Sequence, residues 1–175
     1  WWALALLTAT YTFSFVDRQI VNLLVDPIRA DFGLSDSQVS FLQGLAFALP
    51  YVLLSIPVGR IVDRANRIRV LIVGILIWTA SCMLCGTANS FWQLGVARMG
   101  IGGGEASVTP ASWSLLADYF PPEKRALPVS IFLMGPYLGA GLSLLLGAEV
   151  IGWASELGEI KVPVVGVIAP WQLTF

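Results

Sequence analysis

The chain has 175 residues, 57% hydrophobic and 12% charged, with a mean hydropathy of +0.78 and a net charge of −1. A soluble domain carries roughly 25% charged residues, so half that share cannot clothe a water-facing surface. The composition excludes a cytosolic globular enzyme, a disordered tail and a basic nucleic-acid module, and leaves a membrane protein.

Crossing a hydrocarbon core takes roughly 20 mostly apolar residues in a helix. Trp1 to Val16 carries no charge, Asp17-Arg18 interrupt, and the apolar character resumes from Ile20 to Val25. No basic region precedes this stretch and four more spans follow it, so it is not a secretory signal. Asp26-Pro27 and Asp31-Phe32-Gly33 end the region, and Ser35 three residues before Gln38 is a helix-start signature. Ser37 to Gly59 is uncharged for 23 residues. Val70 to Ala97 is uncharged for 28 residues and contains Gly86-Thr87-Ala88-Asn89-Ser90, a tight turn between two spans. The next helix runs through Arg98 and Glu105 to about Ala117, and Pro121-Pro122-Glu123 ends it, because tandem proline removes two backbone donors. Ala126 to Ala148 makes a fifth span, and Trp171 to Phe175 begins a sixth.

The expected architecture is therefore all-α and polytopic, with spans at about 1–25, 37–58, 70–87, 91–117 and 126–149 and a sixth begun at 171–175. Lipid satisfies no backbone polar group, so these segments are helices, and the ~10-residue alternation of a membrane barrel is absent. Arg60, Arg64, Arg67, Arg69, Lys124 and Arg125 fall on one side, and only Arg29 and Lys161 on the other. The basic side is cytoplasmic, which places the 59–69 and 118–125 connections there and the 149–170 segment outside. Trp1, Trp2, Trp92 and Trp171 mark the interfaces. A chain that opens on Trp rather than Met is expected to be a piece of a longer protein.

Small residues four apart let membrane helices approach closely: Gly100 and Gly104, Gly135 and Gly139, Ser143 and Gly147. Pro50, Pro57, Pro110, Pro128 and Pro136 bend the helices that hold them, and bends open cavities.

Asp17, Arg18, Arg98 and Glu105 lie inside apolar helices, where each costs about 2.5–3.5 kcal/mol at a helix centre. They must face the interior and find partners. Arg98 and Glu105 are two turns apart and share a face; Asp17 and Arg18 diverge by about 100°. Buried intramembrane charge marks a pathway or coupling site more often than a static lock. A carboxyl in low dielectric favours its neutral form, and a nearby guanidinium favours the carboxylate. An Arg that moves away thus lets the acid take a proton, which makes Asp17 and Glu105 the candidate proton-coupling groups and Arg18 and Arg98 the substrate or counter-charge groups. Cys82-Met83-Leu84-Cys85 reads as apolar filler, and Phe13, Phe15, Phe41, Phe47 and Tyr51 as packing, lipid-facing or lipid-chain-lining rings. Gly100 to Gly104 is no phosphate loop, since Glu105 stands where a third glycine belongs. Without His and with no nucleophile beside a base, no enzyme, metal site or cofactor is expected.

The cytoplasmic connection runs Gly59-Arg60-Ile61-Val62-Asp63-Arg64-Ala65-Asn66-Arg67-Ile68-Arg69. It resembles the signature loop between helices two and three of the major facilitator superfamily: Gly, three residues, Asp-Arg, two residues, Arg. Gly59 is expected to let the helix end approach its neighbour, and Asp63 to sit at a helix N-terminus. Asn66, where the generic loop has Gly, is similar to the spinster-type branch. Asp17-Arg18-Gln19, Arg98 with Gly102, Gly104 and Glu105-Ala106-Ser107, and Gly135-Pro136-Tyr137-Leu138-Gly139 resemble that branch's first-helix, fourth-helix and fifth-helix patterns.

This resemblance implies one half of a two-half transporter that works by alternating access around a midplane cavity. It implies proton drive, with Asp17 and Glu105 protonatable, Arg18 as counter-charge and anion contact, and Arg98 at a position linked to proton transfer. Gly59, Asp63, Arg64 and Arg67 form the conformational motif, and Gly135, Pro136 and Gly139 the fifth-helix motif. The implied partners are membrane lipids, a C-terminal half and a small amphipathic or anionic substrate, with protons as coupling ion and no nucleic acid. Spinster-like proteins of animals are associated with sphingosine-1-phosphate and lysophospholipids. The rivals are a facilitator for a sugar, organic anion or drug, and a helical scaffold with static ion pairs.

Overall fold

The computed structural model describes residues 1–157, 160–162 and 166–175. The chain is a helical bundle: α1 (Trp2–Leu23), α2 (Val25–Phe32), α3 (Asp36–Ser40), α4 (Ala46–Arg64), α5 (Arg67–Cys85), α6 (Phe91–Glu105), α7 (Val108–Tyr119), α8 (Ala126–Leu133) and α9 (Gly135–Leu157). A π-helical turn, Phe41–Leu45, joins α3 to α4. A short antiparallel pair, β1 (Ile160–Val162) and β2 (Gly166–Ile168), precedes a 3₁₀ turn at Pro170–Thr174, where the sequence led us to expect the start of a sixth span. The expected outside segment 149–170 includes positions 158–159 and 163–165, which lie outside the described residues.

Among the described residues, three helical segments are long and apolar enough to cross a membrane: Asp36–Arg64, Arg67–Cys85 and Ala126–Glu156. Large apolar side chains such as Leu53, Ile56, Leu76, Met83, Leu144 and Leu145 are exposed, as befits a lipid-facing surface.

Four of the prolines sit within four residues after a change in the helix, while Pro57 lies inside α4 without interrupting it. In a helix interior a proline ring collides with the carbonyl four residues earlier. Pro27 points at Leu23, where α1 ends; Pro110 points at Ala106, where α6 gives way to α7; Pro136 points at Phe132, beside the α8–α9 junction at Met134. Pro50 points at Ala46, where the π turn gives way to regular helix. The fourth span is therefore two pieces rather than the continuous helix expected over 91–117, and Glu105 is the last residue of the first piece.

The other ends follow local chemistry. Gly33, at φ 61°, closes α2 in the left-handed conformation. Ser35 and Gln38 form a reciprocal cap, with the Ser35 N–H donating to Gln38 Oε1 at 3.0 Å and the Gln38 N–H to Ser35 Oγ at 3.4 Å. α4 runs to Arg64, past the boundary expected near 58, because nothing in Gly59–Arg64 breaks a helix. The connection shrinks to Ala65-Asn66, and the Asn66 side chain caps α5 by accepting from the Ile68 and Arg69 N–H groups.

α1 packs along α9, and α6 packs on both α4 and α5. Gly139 makes the first contact possible: a Cβ there would sit 2.4 Å from the Thr12 carbonyl oxygen on α1. Gly104 makes another, since its Cβ would lie 2.6 Å from the Gly74 carbonyl oxygen and 2.6 Å from the Trp78 backbone nitrogen on α5. One apolar cluster holds Ile20, Leu24, Leu42, Leu94 and Ile101; a second holds Leu4, Leu7, Leu71, Leu115 and Phe132. Along α1, Asp17 and Arg18 fall between the two clusters.

Candidate functional site

Four elements converge on that seam. α1 supplies the adjacent pair Asp17 and Arg18, and the two side chains diverge toward different helices, as the 100° step of a helix requires. Arg18 reaches α6: its Nε donates to Glu105 Oε2 at 2.8 Å, and its Nη2 lies 2.7 Å from the same oxygen. Glu105 is 1% exposed. Its second oxygen, Oε1, is buried and has no partner among the described residues.

The Arg18 guanidinium is enclosed by aromatic faces, with ring centroids of Phe15 and Phe47 at 4.6 Å and of Tyr51 at 4.9 Å. Such faces stabilise a cation electrostatically and exclude water. Three rings that the sequence allowed to be lipid-facing thus build the wall of a charged site. Phe13 is exposed and Phe41 packs on Phe91, so the remaining two lie elsewhere. Tyr51 also lies 3.4 Å, oxygen to oxygen, from Thr109 of α7.

Asp17 turns to α5. The Trp78 indole N–H donates to Asp17 Oδ2 at 2.5 Å, and the Cys82 thiol donates to the same oxygen at 3.3 Å. Cys82 is therefore a polar contact of the site rather than filler. Its partner could not be read from sequence because it lies 65 positions away on another helix. Cys85 is buried in the apolar cluster. Arg98, 2% exposed, shares the α6 face of Glu105 as its spacing requires, but the two do not pair. Arg98 Nη1 donates to the Asp17 backbone carbonyl at 3.5 Å, and Arg98 Nε is buried with no partner among the described residues.

The structure thus brings together Asp17, Arg18, Arg98 and Glu105, and separates them from the two motif groups. Asp63 lies in the last turn of α4, exposed, at a helix C-terminus rather than the N-terminus expected. A Cβ at Gly59 would meet nothing within 4 Å, so Gly59 makes no close approach among the described residues. Arg64 is exposed, while Arg67 pairs with Asp118 at the end of α7. Asp118 was not singled out in the sequence, where an acid six residues before Lys124 looks like any interfacial charge. Arg125 closes the same end of α7, donating to the Phe120 and Ala117 carbonyls at 3.2 and 2.8 Å. Gly135, Pro136 and Gly139 lie along α9, with Gly135 and Gly139 against α1.

Trp1, Trp2 and Trp92 are exposed, as interface markers are, but Trp171 is not. It is 4% exposed, and its indole N–H donates to Asp31 Oδ2 at 2.9 Å. The neighbouring Gln172 amide donates to the Ala88 carbonyl at 2.7 Å, so this turn fastens the connections at that end of the bundle.

Residues 7–175 match the family described as Major Facilitator Superfamily. An MFS-type efflux pump of Mycolicibacterium smegmatis is 32% identical over 99% of this chain and 41% of its own length. A sphingosine-1-phosphate transporter of Danio rerio is 30% identical over 83% of this chain and 29% of its own length. A solved structure of a bacterial homologue of the human lysosomal transporter Spinster, inward-facing and occupied, superposes with a TM-score of 0.87 at 34% identity, covering 98% of this chain and 39% of that one. The chain thus spans about two fifths of the length of the efflux pump and of that structure.

Proposed function

The chain belongs to the major facilitator superfamily, and on that premise we propose that it forms the N-terminal half of a proton-coupled secondary transporter of the spinster-like branch. It works by alternating access with a C-terminal half, in the plasma (inner) membrane, with the 59–69 and 118–125 connections in the cytoplasm. The coupling ion is the proton and no cofactor takes part. The substrate is an amphipathic lipid with an anionic headgroup, of the lysophospholipid or sphingosine-1-phosphate kind.

One observation carries this reading. Among the described residues, Glu105 is buried with one carboxylate oxygen unpartnered, and its one ion-pair partner, Arg18, is the more exposed of the two, with 23% of its side chain accessible against none for Glu105. A buried carboxylate whose single counter-charge leaves must be neutralised, because an uncompensated buried charge is costly. An anion that draws Arg18 away therefore favours a proton on Glu105. By linkage, a proton on Glu105 frees Arg18 for the anion. Proton and anion favour each other's binding, which is the coupling that a proton symporter uses. Asp17, held on α5 by Trp78 and Cys82, is the second exchanging group.

The test is uptake into proteoliposomes that hold the whole transporter, with an imposed pH gradient and sphingosine-1-phosphate or lysophosphatidylethanolamine as probe. Wild type responds to the gradient, and Asp17→Asn and Glu105→Gln lose that response. Unchanged coupling in both variants rejects the assignment.

A second reading is supported by relatives of other named specificity. A probable L-galactonate transporter of Escherichia coli is 26% identical over 99% of this chain, and the sugar acid's carboxylate would suit Arg18 equally. Thermal shifts with L-galactonate and with the two lipids separate the readings: the substrate stabilises wild type and leaves Arg18→Ala unmoved. A static scaffold is stabilised by none of them.

A further inference from the structure

Trp78 and Cys82 stand one helical turn apart on α5 and converge on one atom, Asp17 Oδ2, at 2.5 and 3.3 Å. Trp78 is 7% exposed and sits in the apolar cluster. The backbone at Trp78 comes this close to α6 because of Gly104, where a Cβ would lie 2.6 Å from the Trp78 backbone nitrogen and 2.9 Å from the Trp78 Cβ. The residue before Glu105 in the chain therefore sets how closely the third membrane helix approaches. The same approach delivers the donor that Asp17 uses.

We infer that Trp78 and Cys82 are positioning residues for Asp17, holding its carboxylate on the third membrane helix and setting the pH at which it exchanges a proton. The inference rests on reading Asp17 as a proton-exchanging group. An indole N–H is a donor only, and a thiol is a weak donor. Both therefore interact better with a carboxylate than with a carboxylic acid. Loss of charge at Asp17 weakens the tie between α1 and α5, while the tie between Arg18 and Glu105 belongs to a different helix pair. The other ionisable groups around Asp17 do not replace these donors. On α6, Arg98 reaches only its backbone carbonyl, and Glu105 is engaged by Arg18. On α5, Cys85 packs in the apolar cluster; on α1, Arg18 points away.

Infrared titration of the full-length transporter in lipid tests this without needing a substrate. The Asp17 carboxyl band is assigned by its loss in Asp17→Asn. In Trp78→Phe, which keeps an aromatic ring and removes the donor, its midpoint moves to higher pH by roughly one unit. In Cys82→Ala, a milder change that guards against misfolding of the tryptophan variant, it moves the same way by less. In a variant whose only cysteine is Cys82, the S–H stretch shifts to higher frequency when Asp17→Asn is added. A wild-type Asp17 band that titrates with the same midpoint in both variants overturns the positioning role and leaves the proton reading standing. An Asp17 that never titrates overturns the proton reading and this inference with it, and the S–H band then reports whether the contact itself exists.

Discussion

Arg18 directs both Nε and Nη2 at a single oxygen of Glu105, at 2.8 and 2.7 Å, and the other oxygen is buried with no partner among the described residues. A bidentate fork would engage both oxygens and lock the pair. This one-sided contact satisfies half of the carboxylate. Buried polar groups in folded proteins are nearly always paired, and the exceptions ask for an explanation. A group that must alternately hold and release a proton supplies one.

The energetic signature is a double-mutant cycle. Arg18→Ala leaves Glu105 buried and uncompensated, and breaking a buried pair in this way costs about 3–5 kcal/mol, the low end applying here because Arg18 is partly exposed. Glu105→Gln on top of Arg18→Ala restores most of the loss, since no charge is left stranded. Acidification rescues the single variant for the same reason, and its melting temperature approaches that of the double variant as pH falls. Equal destabilisation of the single and double variants at neutral pH contradicts the pairing.

Arg18→Lys keeps the charge and removes the planar fork that the rings of Phe15, Phe47 and Tyr51 enclose. Transport should fall by roughly tenfold, the equivalent of about 1.4 kcal/mol of lost interaction. Wild-type rates in this variant, measured in proteoliposomes, would mean that the aromatic enclosure has no part in the site.

Gly139 and Gly141 lie two residues apart on α9 and should behave oppositely. Gly139→Ala forces a Cβ to within 2.4 Å of the Thr12 carbonyl oxygen and destabilises by about 1–3 kcal/mol. A Cβ at Gly141 meets nothing within 4 Å among the described residues, so Gly141→Ala is neutral or gains up to about 1 kcal/mol from helix propensity. Thermal melts of the two variants in detergent check the register of α9 on α1.

Pro110 interrupts the fourth membrane helix at Ala106 and leaves Glu105 at the end of α6. Pro110→Ala lets the helix run through, rotates the residues around the break and displaces Glu105 from Arg18. The variant is expected to fold and to lose pH-dependent transport. Retained coupling would show that the break plays no part in placing the carboxylate.

At the end of α4, Asp63→Asn in the whole transporter should shift the balance between inward-facing and outward-facing states. Double electron–electron resonance between spin labels on the two halves reads that balance. An unaltered distance distribution counts against a conformational role for the motif.

The end of α2 and the start of α3 were legible because their causes are local, whereas the break in the fourth span and the end of α4 were not. Ser35 and Gln38 cap within four residues, and Gly33 turns by itself. The four intramembrane charges were legible because charge in an apolar run is conspicuous. Their pairing was not. The spacing of Arg98 and Glu105 put them on one face, yet the partner of Glu105 is Arg18, 87 positions away. That choice depends on how deeply α1 and α5 sit against α6, and so on contacts such as that of Gly104, which a periodicity does not report. Cys82 and Trp171 were misread for the same reason, since each is an apolar-looking residue whose polar atom meets an Asp from a distant segment.

The central claim is that Glu105 gains a proton when Arg18 is drawn away. Infrared difference spectra of the full-length transporter, recorded on adding sphingosine-1-phosphate at fixed pH, test it directly through a carboxylic acid band that Glu105→Gln abolishes. The account predicts that the band grows on binding in wild type, and that in Arg18→Ala it is present beforehand and unmoved. A substrate that binds while Glu105 stays ionised would contradict it.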